Sequence, residues 1–242
     1  MDRDKFSTVS LMVTIVGVLL VVSCNSCNSC NGNYRGCPIS SETGEVSKEK
    51  SLEEEFEEVY ALAPQAKEEA DHLAEEIARK NGGVVAKAPI KSRERALEKI
   101  RADYDDDPTL IKDLARNTVV VPAENISAVS QDLKNAGAKV KVIDPNSDPL
   151  GYSGVNSTIK TSNGLTAEVQ VNSPEMIYAK EPEPIARSIL GDSEYDKIQG
   201  ESTVEGGQGH LYYEEWRSLP ENDPKRSSIE IASQDYYKQV RK

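Results

Sequence analysis

An Asn163-Gly164 pair stands between two runs rich in β-forming residues, in the segment GYSGVNSTIKTSNGLTAEVQ from Gly151 to Gln170, and it leaves this stretch few conformational choices. Asn-Gly supplies the positive φ angles that a two-residue type I′ turn demands, which predicts an antiparallel hairpin. That turn would set Ser157 opposite Gln170 and Ile159 opposite Glu168. Period-2 alternation then turns Ala167, Val169 and Val171 toward a core and leaves Glu168 and Gln170 on the other face. On this pattern alone the polar face is an ordinary solvated surface, and the rest of the chain decides whether it is also the wall of a site.

The elements around the hairpin alternate. Helical periodicity runs from about Ser51, through Phe56, Val59, Tyr60, Leu62 and Ala63 to Pro64, and continues through Ala66, Ala70, Leu73, Ala74, Ile77 and Ala78 to the stop signal Asn81-Gly82-Gly83. Beyond it, residues 84–86 read as a strand, 92–102 as a helix, 118–121 as a buried strand, 126–136 as a helix and 139–143 as a strand. After the hairpin come helices at about 174–180, 184–190, 195–199, 210–217 and 229–240. The fold class expected is α/β (α+β), a mixed sheet of about five strands flanked by helices.

Composition narrows the partners. The 242 residues carry 41 acidic and 29 basic side chains, a formal charge of -12, which argues against general nucleic-acid binding because phosphate contacts need clustered Lys and Arg. Any nucleotide site must be local. At the N-terminus, Leu11 to Ser23 is an uncharged apolar run, and Val21-Val22-Ser23-Cys24 resembles a bacterial lipoprotein cleavage box with Cys24 as the lipidated residue. The expectation is a signal peptide or membrane anchor over 1–23, and hence a membrane-associated protein held as a lipoprotein or a single-pass anchor, on an undetermined side of the membrane. The four cysteines, at 24, 27, 30 and 37, all lie in a Cys-, Ser- and Asn-rich linker over 24–50, where lipidation or disulfides fit better than a zinc module. The remaining divisions expected are a helical extension over 51–82, a main domain over 83–218 and a helical tail over 219–242.

Two groups of residues suit phosphate chemistry. Lys91, Arg95 and Lys99 recur every four residues, stacking positive charge along one helix face. Either a bound anion compensates them, or Glu94 and Glu98 neutralise the stripe. Asp113 stands at the entry to the buried strand and, with Glu168, offers two oxygen ligands for Mg²⁺ beside substrate phosphates; alternatively Asp113 caps or pairs with Arg116. The chain's two histidines carry less weight: His72 lies in an acidic helix as a surface residue, and His210 is either a closing-helix contact or a site residue, with core packing favoured. The acidic run Asp103 to Asp107 reads as a loop ending at Pro108.

In order along the chain, Lys91-Ser-x-x-Arg95-x-x-x-Lys99, Lys112-Asp113-Leu, Gly151-Tyr152, Glu168-Val-Gln170-Val and Glu175-Met176 resemble the synthetase domain of RelA/SpoT-type alarmone enzymes. The ending Glu-Met-x-Tyr-Ala-Lys-Glu at Glu181 is similar to the small RelA/SpoT-like domains of phage and polymorphic toxin systems. The resemblance implies a nucleotidyltransferase-like fold and Mg²⁺-dependent transfer of pyrophosphate from ATP to the 3′-hydroxyl of GDP, GTP or another acceptor, tRNA included. It implies Asp113 and Glu168 as metal and general-base carboxylates, and Lys91, Arg95 and Lys99, with Arg116 nearby, as phosphate holders. Tyr152 would stack on the acceptor base, and Gln170 would orient Glu168 or a ribose hydroxyl. Four positions depart from the family pattern: Pro89, Thr118 and Asn172 stand where arginines are usual, and Asn156 where a histidine is. Two classes of function follow from this, a tethered pyrophosphokinase acting as a toxin or phage-defence factor, and an inactive surface lipoprotein that uses the fold for binding.

Overall fold

The computed structural model describes residues 50–241, within a unit that spans Lys48–Lys242. Its elements in order are α1 (Leu52–Ala61), α2 (Ala63–Lys80), β1 (Val84–Lys87), α3 (Arg93–Asp103), β2 (Arg116–Val120), α4 (Ile126–Asn135), β3 (Lys139–Ile143), β4 (Gly154–Lys160), β5 (Thr166–Asn172), α5 (Pro174–Lys180), α6 (Glu183–Leu190), α7 (Asp192–Glu201), α8 (Gln208–Ser218) and α9 (Pro224–Val240). Local chemistry accounts for the helix starts: Ser51 and Glu54 close a capping box on α1, and Ser173 caps α5, which opens on Pro174.

The strands form one mixed sheet in the order β1-β2-β5-β4-β3, with β2 and β5 parallel at its centre and the other pairings antiparallel. One face is apolar. Val119, Val155, Val169 and Val171 are fully buried there beneath Ala74, Ile77 and Ala78 of α2 and Val129 and Leu133 of α4. The small side chains along α2 let its backbone lie close to the sheet, and α1 and α3 continue this core through Phe56, Ala96 and Ile100. At the ends of β2 and β5, helices α5 to α7 bury Val120 with Tyr178, Tyr195 and Ile198.

The expected hairpin exists, but its register is shifted by one residue. Asn156 lies opposite Gln170, Ser157 opposite Val169, and Thr158 opposite Glu168. The loop has three residues rather than two: Thr161 and Leu165 close it through an N–H···O bond of 2.9 Å, and Gly164 sits at φ +89°. Asn163 explains the difference. Its Oδ1 accepts from the Leu165 N–H at 3.1 Å and the Thr161 hydroxyl at 2.8 Å, while its Nδ2 donates to the Leu62 carbonyl at 2.9 Å. Glu168 and Gln170 keep the face expected for them, but Asn156 and Thr158 now share it and Ser157 is buried in the core.

Candidate active site

The polar face of the sheet is assembled from both sides of the β2–β5 ladder. Arg116 pairs with Glu168 and Thr118 with Gln170 in parallel register, and Asn156 faces Gln170 from β4. Thus Thr118 and Asn156, two of the four departures, lie in the site itself. Pro89 is exposed in the loop after β1.

Asp113, just before β2, is 8% exposed and receives two ammonium groups, Lys99 Nζ at 2.9 Å and Lys91 Nζ at 3.2 Å. Burial pushes its carboxyl up, but the hydrogen bond and charge of Lys99, joined by Lys91, outweigh that and hold it below the ordinary carboxylate range. Lys99 answers in kind: burial pulls its ammonium down, while the Asp113 hydrogen bond and charge, with a further contribution from Glu168, leave it raised. Glu168 stands on β5 directly opposite Arg116, three residues along the chain from Asp113.

The pairing of Asp113 excludes two of the readings open in the sequence. Asp113 pairs with the lysines and not with Arg116, and Lys91 and Lys99 take Asp113 rather than Glu94 or Glu98 as their counter-ion. The stripe is also not wholly helical. Ser92 caps α3, so Lys91 lies before the helix, held by its N–H to the Leu114 carbonyl at 3.0 Å and by its carbonyl, which accepts from Tyr60 Oη at 3.0 Å. Arg95 is exposed and Arg116 half-buried, and neither guanidinium has an ion-pair partner among the described residues.

Asp113 also bears on the metal. Its Oδ1 is buried without a hydrogen-bond partner. An oxygen of that kind, with Glu168 nearby, fits a hard cation that takes one or two carboxylates and completes its shell with water and phosphate. Among the described residues no three His, Cys, Asp or Glu side chains are grouped to cage a metal by themselves.

A second cluster adjoins the first through Gln170. Lys180 Nζ donates to Gln170 Oε1 at 3.4 Å, pairs with Glu181 at 3.1 Å and lies 5.8 Å from the centre of the Tyr152 ring. Tyr152 meets Tyr237 edge-on at 5.9 Å, and its hydroxyl donates to Asn172 Oδ1. Asn172 is fully buried and its Nδ2 is unpaired, so the amide at a position where the family usually has arginine serves to anchor Tyr152. Lys180 carried no role from sequence, although it lies within the quoted Glu-Met-x-Tyr-Ala-Lys run. His210, expected in core packing, is instead exposed, while its neighbour Gly209 is buried against Tyr237 of α9. The acidic run after α3 is a loop, with Asp105 and Asp106 at positive φ.

No protein-family model matches the chain. Over 187 residues it is 58% identical to the (p)ppApp synthetase toxin Tas1 of Pseudomonas aeruginosa (strain UCBPP-PA14), covering 77% of this chain and 43% of that protein. The chain thus spans less than half the length of that relative. The crystal structure of the complex between the Type VI effector Tas1 and its immunity protein matches with a TM-score of 0.75 and 57% identity, covering 77% of this chain and 96% of that one. A GTP pyrophosphokinase family protein from Streptococcus pneumoniae matches at a TM-score of 0.41 and 18% identity, over 79% of this chain and 91% of that one.

These findings overturn the expected localisation. The relative is a toxin and a Type VI effector rather than a membrane lipoprotein, and among the described residues no helix is long and apolar enough to cross a membrane. The apolar run at 11–23 and the lipidation expected at Cys24 lie outside the described residues. On the strength of the Tas1 match, the chain belongs to the RelA/SpoT-type alarmone synthetase family and is of the kind found in toxin systems.

Proposed function

We propose that this chain is a toxin-type pyrophosphokinase that transfers pyrophosphate from ATP to the 3′-hydroxyl of an adenosine nucleotide. The observation that carries the proposal is the convergence of Lys91 and Lys99 on buried Asp113, with Arg116 and Glu168 as neighbours on the adjoining ladder. That cluster provides cations for a polyphosphate and hard oxygens for Mg²⁺ within one local site, on a protein whose net charge would otherwise repel ATP. An adenosine acceptor is favoured over the guanosine or tRNA acceptors because the Tas1 relative is named for (p)ppApp synthesis.

In this reading Lys91, Lys99, Arg95 and Arg116 bind the triphosphate and align it, and Tyr152 receives the acceptor base on its ring. Glu168 takes the proton of the 3′-hydroxyl as its oxygen bonds to the β-phosphorus. The bond from that phosphorus to the α-phosphate oxygen breaks, and AMP leaves. Gln170, held by Lys180, positions Glu168 and the ribose. Bound at Asp113 and Glu168, Mg²⁺ would supply neutralisation of the charge that develops on the phosphate oxygens. A partner of the immunity-protein kind belongs to the same proposal, since Tas1 was solved with one.

The test is to incubate the full chain with Mg²⁺ and ATP labelled in the β-phosphate, offering AMP, ADP, ATP, GDP, GTP and tRNA in turn as acceptors. Transfer to adenosine nucleotides that disappears in Glu168→Gln is expected. Transfer to no acceptor at all would sink the enzymatic reading, and a preference for GDP or GTP would sink the choice of acceptor.

A further inference from the structure

The Gly151–Tyr152 turn is held from two sides, and only one of them is local. Its amides point inward to Asp148, whose Oδ1 accepts from the N–H groups of Leu150 and Tyr152 at 3.0 Å each and whose carbonyl accepts from Gly151 at 3.0 Å. Its carbonyls point outward to α9. Gln234 Nε2 donates to Pro149 O at 3.1 Å, Ser233 Oγ to Leu150 O at 2.8 Å, and Arg241 Nη1 to Gly151 O at 2.7 Å and to Ser153 Oγ at 3.3 Å. Three consecutive carbonyls are therefore each bound by a side chain from, or just beyond, one helix far along the sequence.

Packing follows the same line. Gly151 lies at φ +73° so close to α9 that a Cβ there would sit 2.8 Å from Gln234 Cα, and Tyr237 meets the Tyr152 ring edge-on. A turn this short, left to its own hydrogen bonds, would fluctuate on the scale of a rotamer, and a ring that receives a flat base must not.

We infer that α9 braces the acceptor platform, with Arg241 as the positioning residue that fixes Gly151 and hence the Tyr152 ring. This rests on the reading of Tyr152 as the acceptor's stacking surface. Its contacts are to the Gly151 carbonyl and the Ser153 hydroxyl, so it acts on the ring through the turn. Its loss would therefore weaken acceptor binding without altering the phosphate-binding cluster around Asp113.

The test compares Arg241→Met with the control Lys238→Ala, an exposed ion pair to Asp235 on the same helix, both in the full chain. In Arg241→Met the KM for the adenosine-nucleotide acceptor should rise about tenfold, equivalent to about 1.4 kcal/mol, while the KM for ATP and kcat stay unchanged. Arg241→Lys, which still places one donor near Gly151, should recover part of the loss. Hydrogen exchange at residues 150–153 should accelerate in Arg241→Met alone and not at the Asn163–Gly164 loop. An unchanged acceptor KM, or acceptor and ATP KM values rising together, would overturn the brace. If the wild-type chain transfers label to no acceptor, the proposed activity falls, and the exchange measurement alone then decides: unchanged exchange at the turn refutes the brace.

Discussion

Asp113→Asn separates a structural counter-ion from a functional one. The carboxylate is 8% exposed and bears two ammonium groups at 2.9 and 3.2 Å. At an effective dielectric constant of about 20, each contact has a gross Coulomb energy of about 5 kcal/mol. Desolvation of the buried carboxylate returns most of that. The side chains of Lys91 and Lys99 are 21% and 32% exposed, so both can turn back to water when the charge is lost. The net loss of stability is then about 2 kcal/mol, which for a domain of this size lowers Tm by about 4–8 °C. Activity should fall much further, by about 10³-fold in kcat/KM, because about 4 kcal/mol of transition-state charge stabilisation depends on the same oxygens. Thermal melts and label transfer on one preparation read both quantities. The folded-state carboxyl is depressed, so its contribution is complete above the unfolded value of about 3.9 and is lost as pH falls through the lower folded value. The Tm gap between wild type and variant should accordingly close below about pH 4. A variant that melts as expected but keeps a tenth or more of its activity would refute the assignment of Asp113 to the chemistry, because an oxygen that supplies about 4 kcal/mol cannot be removed so lightly.

Two further changes probe other parts of the fold. Arg116→Met removes a guanidinium with no ion-pair partner among the described residues, so the folding stability should stay within about 1 kcal/mol of wild type while the KM for ATP rises about tenfold; steady-state kinetics beside a melt check both. Gly209→Ala should destabilise although Ala is the better helix former by about 1 kcal/mol, because its Cβ would lie 2.0 Å from the Tyr237 hydroxyl and 3.1 Å from the Ala179 carbonyl. A denaturant midpoint above that of wild type would contradict the packing described at α9.

Much of the fold was legible because its signals are local. The alternation in Thr166–Asn172 and the apolar periodicity of α1 and α2 each declare an element without reference to the rest of the chain. The register of the hairpin was not legible, because Asn163 can serve either as a positive-φ turn residue or as a hydrogen-bonding side chain, and a contact with Leu62, distant in sequence, favours the second role. Asp113 and Glu168 were both singled out from sequence, but the partner of Asp113 was not settled. The spacing of Lys91, Arg95 and Lys99 fits a surface stripe and an anion clamp equally, and only the path of the chain from Lys91 to Leu114 brings Asp113 in as the counter-ion of Lys91 and Lys99. The part played by α9 had no sequence signal, since Ser233, Gln234 and Arg241 are ordinary helix-surface residue types until Pro149–Gly151 is laid beside them.

The central parallel pair has a kinetic consequence. Arg116 and Glu168 become neighbours only when β2 pairs with β5, and the whole of α4, β3 and β4 lies between them in the chain. Local pieces such as the β4–β5 hairpin and the helices can form early, on microsecond timescales, but this ladder must first meet the entropy of closing a long loop. A chain in which β2 and β5 have not yet paired would hold Glu168 apart from the Lys91, Lys99 and Asp113 segment. On the proposed function, the candidate site is whole only once this long-range ladder has brought Glu168 beside Arg116.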